Sequence, residues 1–267
     1  MVQLTASSST TIKTFARIKP ATSKHQTCSF VRTISEGSEG EVLPDTLRVA
    51  LPSSYVHTTQ NLDSDPVFEF SDGCGVLPDD QEEIFEITAR PMVDRAFEGV
   101  NSCLFGYGQT GSGKTYTVTG GSTYGERGII PRVLTYVFAR VKVIGGCNVY
   151  VSYLEIYNEN AYDILDKGKQ SKKIEQWNKI NIQEDGSGEA VMSNLRVFEC
   201  VNEEQALSLL FLGNSNRITS STKMNEASSR SHAIFTLSLR REGEGKVSSG
   251  KIHIVDLAGS ERYGKAH

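Results

Sequence analysis

The chain has 267 residues, 38% of them hydrophobic and 22% charged, which allows a sizeable core of ordinary globular composition. The formal net charge is −4, so no basic surplus points to nucleic acid or to an anionic membrane surface as a partner. Five cysteines, odd in number and without a CxxC pair, speak against a disulfide framework or zinc site and suit a reducing compartment.

Met1–Thr11 is polar and rich in Ser and Thr, without the apolar stretch of a secretory signal, and reads as a disordered tail over residues 1–10. No apolar run reaches the roughly 18 residues that a membrane-spanning helix needs. Thr11–Lys19 reads as a strand stopped by Pro20. Ser35–Pro44 is a Gly/Glu/Ser-rich loop, and Thr46–Leu51 and Val67–Phe70 are short strands. Asp79 or Asp80 caps a helix whose apolar residues, from Ile84 and Phe85 to Ala96 and Phe97, share one face. Pro91 inside it predicts a kink or a late start.

Ser102–Tyr107 is an apolar strand running into glycine, with a helix expected from about Gly113. Gly120–Arg127 is a loop, Ile129–Val143 a helix, and Cys147–Tyr157 a long strand with Val149, Val151 and Tyr153 on one face. Asp166–Lys179 is a polar, Lys-rich insertion, read as a solvated run. Ile180–Val197 resembles a hairpin, and Asn202 to Arg217 a helix capped by Asn202 with Gln205 three residues on. Ala233–Arg240 and Lys251–Val255 are strands around a charged, Gly-rich turn. Alternating strands and helices predict an α/β fold, a mixed central β-sheet with helices on both faces, in one domain over residues 11–267.

Gly108-Gln109-Thr110-Gly111-Ser112-Gly113-Lys114-Thr115 matches G-x-x-x-x-G-K-[ST], the P-loop of ATP-binding proteins. Its glycines let the backbone wrap closely and aim N–H groups at phosphate oxygens. Lys114 supplies a positive charge to the β/γ-phosphates, and the Thr115 hydroxyl is placed to ligate Mg²⁺. The motif follows an apolar strand and opens a helix, the context it requires. Ile252-His253-Ile254-Val255-Asp256 is a strand ending in an acid, as expected of a second, metal-side carboxylate.

Asn225-Glu226-Ala227-Ser228-Ser229-Arg230-Ser231-His232 and Asp256-Leu257-Ala258-Gly259-Ser260-Glu261 are two further polar segments beside strands. Together with Gly108–Thr115 they resemble switch I (NxxSSRSH), switch II (DLAGSE) and the P-loop of kinesins, in kinesin order. Tyr153–Glu159 and Arg17-Ile18-Lys19-Pro20 extend the resemblance over residues 11–267. The wording of Val151–Glu159 and Ser208–Arg217 is similar to the ninth, ciliary kinesin family.

The resemblance implies a kinesin-like P-loop NTPase that binds ATP/ADP and Mg²⁺, hydrolyses ATP and works on microtubules in the cytoplasm and cytoskeleton, or in a cilium or flagellum. It implies that Arg17, Pro20 and Tyr116 flank the adenine. Lys19 stands where kinesins carry a second Arg, replacing a planar fork by a point charge. It also implies that Ser229 approaches the metal and Asp256 reaches it through water. Asn225 and Ser228 orient the attacking water, Arg230 pairs with Glu261, and Gly259 offers its N–H to the γ-phosphate. His232 reads equally well as a packed structural residue.

The residues end at His267, shortly after the switch II segment, so a kinesin-like fold is expected to be incomplete at its C-terminus. Either a fragment or a complete truncated form fits. A missing central strand leaves an unpaired sheet edge, and microtubule contact is expected to be weakened or absent. Three functions compete: a microtubule motor ATPase, a non-motile microtubule or ciliary component that holds nucleotide without turnover, and a P-loop kinase or GTPase. A GTPase would carry an N/T-K-x-D base-reading segment, which the sequence lacks, and a kinase would need an acceptor pocket.

Overall fold

Residues 12–20, 29–33, 46–50, 67–70, 74–166, 177–186, 188, 190–222, 230–243 and 246–261 are described by a computed structural model. The expected tail (1–10), the loop at 35–44, residues 167–176 of the insertion, and Asn225, Ser228 and Ser229 lie outside the described residues. Contacts divide the chain into two units, residues 1–79 and 80–267.

In the first unit, β1 (Phe15–Arg17) pairs in parallel with β5 (Gly75–Leu77). β2 (Ser29–Thr33), β3 (Thr46–Ala50) and β4 (Val67–Glu69) form an antiparallel sheet. Strand alternation turns Leu47 and Val49 to one face of β3. There Leu47 joins Phe70 and Val76 in a small core, with Ala16, Ile18 and Cys74 against it.

The second unit opens with Asp80, whose carboxylate accepts from the N–H groups of Glu82 (2.8 Å) and Glu83 (3.0 Å) and caps α1 (Gln81–Ile84). The kink expected at Pro91 takes the form of a π-turn, Phe85–Ala89, before α2 (Arg90–Phe97). Pro91 has no N–H to offer and its ring would crowd the carbonyl of Ile87. Widening the preceding turn relieves that crowding, and the N–H of Arg90 reaches the carbonyl of Phe85 instead.

An eight-stranded sheet follows. It comprises β6 (Ser102–Gly106), β7 (Cys147–Tyr157), β8 (Asn160–Asp163), β9 (Lys179–Glu184), β10 (Ala190–Ser193), β11 (Phe198–Cys200), β12 (Ser231–Gly243) and β13 (Lys246–Asp256). The order is β10-β9-β8-β7-β12-β13-β6, with β11 on β7. β13 and β6 are parallel and the other pairs antiparallel, so the sheet is mixed, as expected. β12 and β13 pair from Ala233↔Asp256 to Gly243↔Lys246, longer than the sequence suggested, because the register carries the hairpin out to its turn. Among the described residues β6 stands at the end of the order. Its outward positions include Phe105, which is 48% exposed.

The helices α3 (Lys114–Val118), α4 (Ile129–Ile144) and α5 (Glu203–Thr222) complete the unit. α4 touches α1, α2, α3 and α5, so the described helices form one connected layer. That layer covers the face of the sheet where Val151, Tyr153, Phe235, Leu237 and Ile254 are buried. The other face carries a smaller cluster around Leu154, Ala161 and Ile180. Asn202 caps α5 by accepting from the N–H of Gln205 at 2.9 Å, and Gln205 reaches back to the N–H of Val201 at 3.0 Å.

Candidate phosphate-binding site

β6 delivers the chain to the loop Gly108–Thr115, and its last residue, Gly106, is paired with Asp256 at the end of β13. Parallel neighbours therefore end side by side, which brings the loop and the acid together. Gly111 (φ +78°) and Gly113 (φ +105°) adopt backbone conformations that a side chain would strain. Gly113 precedes α3 without a side-chain cap, leaving the first N–H groups for a ligand. The Lys114 ammonium donates to the carbonyls of Gly108 (2.8 Å) and Gln109 (3.0 Å). A lysine folded onto its own loop must exchange these bonds for phosphate oxygens.

The metal side is built from three elements. The Thr115 hydroxyl donates to Asp256 Oδ2 at 2.8 Å. Arg217, from α5, places Nη1 3.2 Å from the same oxygen and Nε 3.7 Å from Glu155 Oε1 of β7. The Ser231 hydroxyl, opening β12, donates to Glu155 Oε1 at 2.6 Å. All of Glu155, Arg217, Ser231 and Asp256 are buried. Burial pushes the Glu155 carboxyl above its ordinary range, opposed by Arg217 and by the Ser231 hydroxyl. Asp256 Oδ1 is buried and without a hydrogen-bond partner. A hydroxyl beside a carboxylate with a spare buried oxygen suits a hard cation such as Mg²⁺.

The segment after β13 folds back on the loop. The Ser260 N–H donates to the Gly108 carbonyl at 3.0 Å. Glu261 accepts from the Thr110 N–H at 2.9 Å and from the Thr110 hydroxyl. The hydroxyl bond is the main reason its carboxyl falls to about 2. A side chain at Gly259 would collide with that carboxylate. His232 Nδ1 accepts from the Ala258 N–H at 3.1 Å, so this histidine ties the start of β12 to the same segment. Arg230 is exposed at the N-terminal side of β12.

Of the expected adenine residues, Arg17, Lys19 and Pro20 belong to the first unit and Tyr116 to the second. Arg17 donates to the Asp79 carbonyl at 3.0 Å, and Lys19 and Pro20 are exposed. The Tyr116 ring is 40% exposed, while its carbonyl accepts from buried Gln81 at 2.8 Å. The structure thus gathers Gly108–Thr115, Asp256, Gly259 and Glu261.

Sequence reasoning passed over Glu155, Arg217 and Ser231. Two signals were legible. Glu155 continues the inward face of Val151 and Tyr153 at a spacing of two. Arg217 falls two helical turns from buried Leu210 and one from Gly213, where an added Cβ would strike the Tyr153 ring.

Residues 17–267 match the family described as Kinesin motor domain. The chain is similar to Kinesin-like protein KIF9 of Homo sapiens, 43% identical over 204 residues, which cover 72% of this chain and 25% of that protein. It is also similar to Kinesin-like protein K39 of Leishmania chagasi, 39% identical over 232 residues, 78% of this chain and 24% of that one. The chain therefore spans about a quarter of the length of these relatives. A solved structure described as "Structure of a fast kinesin: Implications for ATPase mechanism and interactions with microtubules" aligns with TM-score 0.76 at 28% identity, over 96% of this chain and 68% of the other.

Proposed function

The chain belongs to the kinesin motor domain family, and we propose that it binds Mg·ATP at Gly108–Thr115 and hydrolyses it as part of a microtubule motor. The observation that carries this reading is the Thr115–Asp256 hydrogen bond, which joins the P-loop to the acid ending β13. In this reading Lys114 leaves the carbonyls of Gly108 and Gln109 for the β/γ-phosphates. Thr115, Ser229 and, through water, Asp256 would hold Mg²⁺, which would supply neutralisation of charge on the phosphates.

Asn225 and Ser228 position the attacking water, and Gly259 offers its N–H to the γ-phosphate. Glu261 exchanges Thr110 for Arg230 as the two switch segments close. Phosphoryl transfer asks mainly for positioning and charge stabilisation, which these groups supply without covalent chemistry. The kinesin resemblance assigns the adenine to Arg17, Lys19 and Pro20 in the first unit and to Tyr116 in the second. The resemblance of Val151–Glu159 and Ser208–Arg217 to the ninth, ciliary kinesin family supports a ciliary or flagellar, cytoskeletal setting.

The test is steady-state ATPase with and without microtubules, in wild type and Glu261→Ala. ATP turnover that E261A loses is the expected result; stimulation by microtubules supports the motor reading, and basal turnover alone supports a working site without microtubule contact. Turnover in E261A equal to wild type would refute its role, and nucleotide binding with no turnover would favour the non-motile alternative.

A further inference from the structure

One chain of polar groups runs through the second unit, buried over Ser231, Glu155, Arg217 and Asp256 and reaching the surface at Thr115. It begins where β12 leaves the segment resembling switch I and ends on the P-loop threonine. Four elements contribute, β12, β7, α5 and β13, before the loop itself. Arg217 is the middle of it. Its guanidinium is 9% exposed and faces two carboxylates that are 3% and 4% exposed. Ionised groups so far from water persist only when paired. Two acidic side chains share one guanidinium, and Asp256 Oδ1 is left without a hydrogen-bond partner.

We propose that Arg217 is a positioning residue for the metal-side carboxylate: it holds Asp256 by Oδ2, is itself steadied by Glu155 and Ser231, and so keeps Oδ1 directed at Mg²⁺ and its water. The planar fork matters here as much as the charge, because one guanidinium edge addresses Asp256 while Nε faces Glu155. The same chain gives the start of β12 a mechanical link to the metal side that does not pass through nucleotide. The proposal rests on the Mg·nucleotide reading above. Groups one shell behind a metal site typically change metal affinity about 10- to 100-fold when altered.

Arg217→Lys separates position from charge, since it keeps the cation and loses the fork. The measurement is retention of a fluorescent ADP as Mg²⁺ is titrated, with EDTA as baseline and thermal unfolding recorded alongside. In R217K the Mg²⁺ midpoint should rise by about 10-fold or more, while ADP affinity in EDTA matches wild type. A purely structural role would lower the melting temperature and leave that midpoint where it was. If R217K does not unfold cooperatively, Glu155→Gln serves: it keeps the shape, removes the charge that steadies Arg217 from its far side, and should raise the midpoint too. A wild-type midpoint in either folded variant overturns the proposal. A wild-type chain that retains no ADP at any Mg²⁺ concentration overturns the nucleotide reading, and the role of Arg217 with it.

Discussion

Gly113→Ala is the sharpest probe of the loop, because the structure reduces it to a single physical effect. Gly113 has φ +105°, and nothing lies within 4 Å of a methyl group added there. The substitution therefore meets no clash and acts only through backbone strain, about 1–2 kcal/mol for an L-residue held in a left-handed conformation. That strain has two outlets. If the loop keeps its shape, the folded state carries the strain and the melting temperature falls, by about 2–4 °C per kcal/mol for a unit of this size. If the loop flattens instead, the phosphate cradle is lost and ATP affinity drops about 5- to 30-fold.

The assay is calorimetric ATP binding together with a melting curve on the same sample. The two losses should trade against each other and sum to about 1–2 kcal/mol. Gly125 offers the control, having open space and no left-handed φ, so Gly125→Ala should change neither quantity. Wild-type affinity and wild-type stability together in G113A would refute the argument that the loop needs this conformation.

Gly250→Ala should destabilise the second unit without touching the loop. The added methyl falls on the Ala96 carbonyl oxygen and within 2.8 Å of its carbonyl carbon, so α2 must move off β13, at a cost of about 1–3 kcal/mol or more. A melting temperature equal to wild type would contradict the packing. The Glu261–Thr110 contact should be insensitive to pH across the neutral range. Its carboxyl is lowered from 4.5 to about 2, so its contribution is fully present above about pH 4.5 and fades only as pH falls towards 2. Chemical shifts of the Thr110 amide report this, and a transition between pH 5 and 8 in that signal would count against the contact.

Much of the site was readable because local chemistry fixes it. The P-loop glycines, Lys114 and Thr115 sit where strand, turn and helix demand them, and Asp256 ends an apolar strand. Strand periodicity placed Cys147–Tyr157 with its bounds intact. Short strands were harder. Ser29–Thr33, Gly75–Leu77, Asn160–Asp163 and Phe198–Cys200 carry three to five residues each, too few for a period to emerge, and Gly75–Leu77 and Phe198–Cys200 are held by partners distant in sequence. The Pro91 irregularity was visible, but a proline can end a helix, kink it or widen the turn before it, and its position in the sequence does not choose among these. Arg217 and Glu155 went unread for a related reason. A charge on an apolar face looks like an error of phase until its partner, 62 residues away in sequence for this pair, is brought beside it.

The central claim is that Gly108–Thr115 is a working Mg·ATP site, and direct titration tests it most plainly. Wild type titrated with Mg·ATP should bind one equivalent, and Lys114→Ala, stripped of the charge that now rests on Gly108 and Gln109, should bind about 10- to 100-fold more weakly. Equal binding by both chains, or none by wild type, would contradict the account.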